Sequence, residues 1–115
     1  MGKPGPETRL VGKMRDAAKA KYGERIVIIK YHGSQFTEAG VSDLLICLDG
    51  RFLAVEVKAP ERYGNSEDRA ISEGPTVKQL AFGSRVSAAG GTFAVCATVE
   101  GFLAVLAESI GETTP

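Results

Sequence analysis

Apolar and polar positions along the chain change period several times, and each change marks an element. Gly5-Pro6-Glu7 opens a helix, because proline is preorganised for the first helical position and glutamate suits the positive end of the helix dipole. Leu10, Val11, Met14, Ala17 and Ala18 then recur at steps of three and four, giving one apolar stripe that runs to about Tyr22 before Gly23 stops it. From Arg25 to Tyr31 that period disappears. The unbroken run Ile26-Val27-Ile28-Ile29 predicts a strand covered on both faces, hence a central one. A polar loop from His32 to Gly40 follows, with Gly33-Ser34 as a turn. Two apolar segments, Ser42 to Leu48 and Arg51 to Lys58, are then separated only by Asp49-Gly50, the strongest short signal for a hairpin.

The stretch from Ala59 to Pro75 carries six charged residues among Pro, Gly, Asn and Ser, and its pattern predicts a mobile functional loop. Thr76 is placed to cap a second helix running through about Ala89, which Gly90-Gly91 ends. Thr92 to Ala97 reads as another strand, and Gly101 to Ser109 as a short closing helix, with a final strand as the alternative. The order helix, strand, hairpin, loop, helix, strand, helix predicts an α/β fold, a small mixed β-sheet flanked by α-helices, in a single domain over residues 1–115.

Composition narrows the setting. With 115 residues and 43% hydrophobic content, the chain can bury a core without disulfides or a structural metal. Cys47 and Cys96 each sit in an apolar run, which predicts buried, reduced thiols. No apolar run reaches the ~18 residues of a membrane span, so neither a membrane partner nor a location outside the cytoplasm is expected. Fourteen Lys plus Arg balance fourteen Asp plus Glu, so any site for a polyanion has to be built locally. Lys30, Arg62, Arg69, Lys78 and Arg85 either line such a phosphate path or are solubilising charges.

The hairpin supplies the chemistry. A two-residue turn at Asp49-Gly50 pairs Leu48 with Arg51, and counting back puts Cys47 opposite Phe52, Leu45 opposite Ala54 and Asp43 opposite Glu56. Like charges directly opposed on an antiparallel pair are destabilising, yet the sequence keeps them. Alternation along the strand puts Lys58 on the same face as Glu56, and Glu7, in register with Leu10, Val11 and Met14, faces inward as a third carboxylate. A divalent cation removes the repulsion and the desolvation cost of such a cluster, and an all-oxygen ligand set suits Mg²⁺ or Mn²⁺ over Zn²⁺. With Lys58 beside it, the pattern points to phosphodiester hydrolysis. The bland reading is that these are ordinary solvated strand ends.

Gly40-Val41-Ser42-Asp43, a hairpin, Val55-Glu56-Val57-Lys58 and a later helix carrying Gln79 together resemble the PD-(D/E)xK nuclease superfamily, and more narrowly its virus-type replication-repair nuclease domain, VRR-NUC, in a stand-alone phage or bacterial form. The similarity runs from Glu7 through the strand after Gly90-Gly91. It implies a restriction-endonuclease-like core in which Asp43 and Glu56 bind the metal with the Val57 carbonyl, Glu7 completes the acidic cluster, Lys58 acts on the nucleophilic water and Gln79 orients water or the scissile phosphate. It also implies a DNA endonuclease acting on branched or structured DNA such as junctions and flaps in replication and repair, working as a homodimer. Ser42 stands where the superfamily name has proline.

Other residues are discounted. His32, the one histidine, cannot make a zinc site alone and reads as a loop residue. No Walker Gly-Lys-Ser/Thr pattern is present, so no nucleotide cofactor is implied. Gln79 shares a helix face with Phe82 and Val86, which turns it toward the sheet. Two other functions stay open: a non-catalytic nucleic-acid-binding module of the same fold that needs a partner, and a sequence-specific restriction-type nuclease, for whose base-reading elements the chain has little room.

Overall fold

The structure, a computed structural model, describes residues 3–32 and 38–112. Helix α1 spans Pro6–Tyr22, with Pro6 and Glu7 in its first turn and Gly23 at its end with φ 56°. After a 3-10 turn over Gly23–Arg25 come strands β1 (Ile26–Lys30), β2 (Leu44–Leu48) and β3 (Arg51–Val57). A further 3-10 turn over Pro60–Tyr63 leads to α2 (Glu67–Glu73), α3 (Val77–Ala88), β4 (Thr92–Cys96) and α4 (Val99–Ser109). The turn predicted at Gly33-Ser34 lies outside the described residues.

The sheet runs β1-β2-β3-β4, antiparallel except for the parallel pair β3 and β4. Asp49 and Gly50 both have positive φ, 51° and 81°, as a two-residue type I′ turn requires. The register is therefore the expected one, with Leu48 facing Arg51, Cys47 facing Phe52 and Leu45 facing Ala54. Arg25 grips the turn through two hydrogen bonds to Asp49, 3.0 and 2.6 Å long.

Side-chain alternation then divides the molecule. Ile26 and Ile28 of β1, Leu44, Ile46 and Leu48 of β2, and Leu53, Val55 and Val57 of β3 all point to one face, where Val11, Met14 and Ala18 of α1 and Phe102 and Leu106 of α4 complete the core. On the other face α3 packs across β3 and β4, with Gly83 pressed on the ring of Phe93. Nothing among the described residues covers the outer part of that second face, and it departs from expectation in two ways. β1 is an edge strand rather than a central one, with Val27 and Ile29 59% and 58% exposed. Cys47 is exposed rather than buried, since it falls in the opposite phase to Leu44, Ile46 and Leu48; Cys96 is buried as expected.

A third correction concerns the stretch from Ala59 to Pro75. It is not a structureless loop, because the 3-10 turn and α2 fill most of it. Ser66 caps α2 by accepting from the Arg69 amide at 3.2 Å, and Ala70 is fully buried beneath it. The closing helix α4 forms as expected, capped by Thr98, whose hydroxyl accepts from the Gly101 amide. No described helix is long and apolar enough to cross a membrane.

Candidate active site

The second face of the sheet carries polar chemistry where β3 ends. Leu44 pairs with Val55, and one step further Asp43 lies opposite Glu56, as the hairpin count predicts. Asp43 also ties three strands together: its carbonyl accepts from Tyr31 at 2.8 Å and its Oδ2 accepts from the Val57 amide at 2.8 Å. The segment bearing it is seated by Gly40. That residue has φ 81°, and a Cβ there would collide with the Lys78 carbonyl in the first turn of α3, so the close approach needs glycine.

Glu56 is 1% exposed, on the face of β3 beneath α3. A buried carboxylate is costly unless hydrogen bonds or a cation offset its desolvation. One of its oxygens is served: Oε1 accepts from Gln79 Nε2 at 2.9 Å and lies 3.6 Å from Lys58 Nζ. Its Oε2 is buried with no hydrogen-bond partner. Burial first, and the facing Asp43 second, push Glu56 up to about 8, against a smaller opposing pull from Lys58.

Gln79 reaches Glu56 from a fixed station. It is the third residue of α3 and forms a capping box with Thr76: the Thr76 hydroxyl accepts from the Gln79 amide at 3.1 Å, and Gln79 Oε1 accepts from the Thr76 amide at 2.8 Å. With its oxygen committed to Thr76, only the NH₂ end is left to face Glu56. Lys58 follows β3 directly, its amide donating to the Cys96 carbonyl at 3.0 Å, and its side chain is 12% exposed.

Four of the expected site residues, Asp43, Glu56, Lys58 and Gln79, are thus brought together with the Val57 backbone. Glu7 is not. Its Oε1 lies 3.7 Å from Arg62 Nε, and no three acidic, His or Cys side chains among the described residues form a metal-sized group. Of the expected phosphate-lining charges, Arg62 pairs with Glu7, Arg69 with Glu73 and Arg85 with Glu38. The neighbours missed from the sequence are Gly74, which packs on Lys58, and the capping role of Gln79; Thr76 and Gln79, three residues apart at a helix start, were the available signal for the second. A cavity of about 810 Å³ between Phe52, Phe82, Arg85 and Val86 lies toward the other end of α3 from Gln79.

Two solved structures share this architecture. One, described as "VRR_NUC domain protein", aligns with a TM-score of 0.65 at 17% identity over 97% of this chain and 93% of its own. Another, described as "VRR_NUC domain", aligns with a TM-score of 0.56 at 22% identity over 83% of this chain and 91% of its own. The chain has the VRR-NUC fold. No protein-family model matches its sequence, and no curated protein does. The four-stranded mixed sheet with its four helices is the part of the chain that these alignments span.

Proposed function

We propose that this protein is a metal-dependent nuclease that hydrolyses phosphodiester bonds in DNA, with branched or structured DNA as the substrate class. The carrying observation is the placement of Asp43, Glu56, Lys58 and Gln79 at one end of β3, in a fold shared with solved structures described as VRR_NUC domains. A purely structural sheet has no reason to bury Glu56 opposite Asp43.

The orphaned Oε2 of Glu56, whose carboxyl has Asp43 beside it, fits a hard cation with oxygen ligands, Mg²⁺ or Mn²⁺, which Asp43, Glu56 and the Val57 carbonyl would hold. When bound, such an ion supplies Lewis acidity and a water of lowered pKa. The chain's own residues do the rest. Lys58, its ammonium beside Glu56, holds positive charge where the attacking hydroxide and the developing phosphorane charge gather. Gln79 keeps Glu56 Oε1 engaged, which leaves Oε2 as the carboxylate oxygen that would serve as a ligand. Asp43 fixes the end of β3 by accepting from Val57.

The same reading includes a homodimer, supported by the row Val27, Cys47 and Phe52 with Ile29 beside it, an apolar strip left open on the sheet.

The test is cleavage of labelled single-stranded, duplex, flap and four-way-junction DNA with Mg²⁺, Mn²⁺ or EDTA, with Lys58→Ala run beside the wild type. Metal-dependent cutting that Lys58→Ala reduces by about 10³-fold is the expected outcome. Binding without cutting would replace the nuclease by a non-catalytic module, and cutting that survives Lys58→Ala would remove Lys58 from the mechanism.

A further inference from the structure

Helix α2 ends at Gly74, which lies against the hydrocarbon stem of Lys58. Its dihedrals, φ −72° and ψ −48°, are right-handed helical values, which the following Pro75 disfavours for any residue that carries a Cβ, so the backbone gives one reason for glycine. The space around it gives a second. A Cβ at this position would meet the Ala70 carbonyl oxygen first, and would stand 2.6 Å from Lys58 Cγ and 2.8 Å from Lys58 Cδ, closer than non-bonded carbons approach. Two further features hold this contact in place: Ala70 is fully buried under α2, and the Lys58 amide is bonded to Cys96 in β4. A lysine side chain loses up to about 2 kcal/mol of rotamer freedom when fixed, so a wall along its stem is what keeps the ammonium in one place.

We propose that Gly74 is a positioning residue for Lys58: the glycine end of α2 clamps the lysine stem and so holds Nζ 3.6 Å from Glu56 Oε1. This rests on the reading of Lys58 as a catalytic residue, and it gives α2 a function in the site. The competing account is that Gly74 serves only the helix end, where its amide donates to the Ala70 carbonyl at 3.1 Å, a Cβ would crowd that carbonyl, and Pro75 follows.

Gly74→Ala in the full chain separates the two. Trace acylation with an amine-reactive ester, read lysine by lysine by mass spectrometry, is expected to show Lys58 labelled several-fold faster than in the wild type, with Lys13 and Lys19 unchanged. Metal-dependent cleavage is expected to lose about 10²-fold in kcat, as for an ångström-scale misplacement, with KM for DNA unchanged. Unchanged Lys58 labelling in a folded variant overturns the proposal. A wild type that cuts no DNA defeats the nuclease reading instead, and the labelling still decides the clamp. The Gly74→Ala cost in unfolding free energy is also measured in a Lys58→Ala background, where Cγ and Cδ are gone. It is expected to be smaller there, and an equal cost in both backgrounds, or loss of folding in both, leaves only the helix-end role and overturns the clamp.

Discussion

Along β3, Leu53, Val55 and Val57 turn to one side of the sheet and Ala54 and Glu56 to the other. On the first side α1 and α4 close over an apolar layer with Met14, Phe102 and Leu106 fully buried. On the second, α3 packs on β3 and β4, a carboxylate is buried facing another, and Val27, Cys47 and Phe52 stay exposed. One strand of seven residues thus serves stability with its odd positions and the candidate site with Glu56. Because a strand's period is two, substitutions one residue apart are expected to act with opposite sign.

Phe102→Ala has the largest expected effect, since it empties the middle of the closed side. Truncation of a fully buried phenylalanine costs about 3–5 kcal/mol, a large part of the roughly 5–15 kcal/mol that holds a domain together. Urea denaturation checks it. A loss below about 1 kcal/mol would mean that the α1 and α4 layer is not the main core.

Glu56→Gln is expected to go the other way. A carboxyl that folding raises from 4.5 to about 8 binds protons in the folded state that the unfolded chain has released, so this group lowers stability progressively as pH rises through that window. Gln removes the penalty and keeps an oxygen for Gln79 Nε2. The variant is expected to melt roughly 5 °C above the wild type at pH 8 without metal and at the same temperature near pH 4.5. It is also expected to lose the stabilisation that Mg²⁺ gives the wild type, and to lose cleavage. Equal melting temperatures at both pH values would show that Glu56 is not under charge strain.

What could be read from the sequence follows the same division. The Asp49-Gly50 turn is local chemistry, and once it is placed the alternation of β2 and β3 puts Asp43 opposite Glu56 with no knowledge of the rest of the molecule. Contacts across long separations were less legible. The run Ile26 to Ile29 reads as buried on both faces because four β-branched residues carry no phase; only the position of α3, set by β4, leaves Val27 and Ile29 in the open. Helix α2 escaped because it is short and polar with one buried residue, Ala70, although Ser66 at its cap was a visible sign. Glu7 lies on the inward side of α1 as its periodicity implies, but that says nothing of its partner, and Arg62 from the following 3-10 turn takes it.

The smallest expected effect on folding sharpens the comparison from the open side. Val27→Thr with Ile29→Thr keeps both residues β-branched, so the strand preference of β1 is retained, and both side chains are already largely in water. Unfolding free energy measured at low protein concentration is therefore expected to change by less than about 0.5 kcal/mol. Self-association is expected to respond strongly, because the hydroxyls interrupt the apolar strip shared with Cys47 and Phe52, and a dimer resting on that strip should sediment as a monomer in the double variant. A large loss of stability in a monomeric sample would mean that this face is part of the core after all. Unchanged sedimentation of a dimer would move the interface away from the sheet, leaving the open strip without a role in assembly.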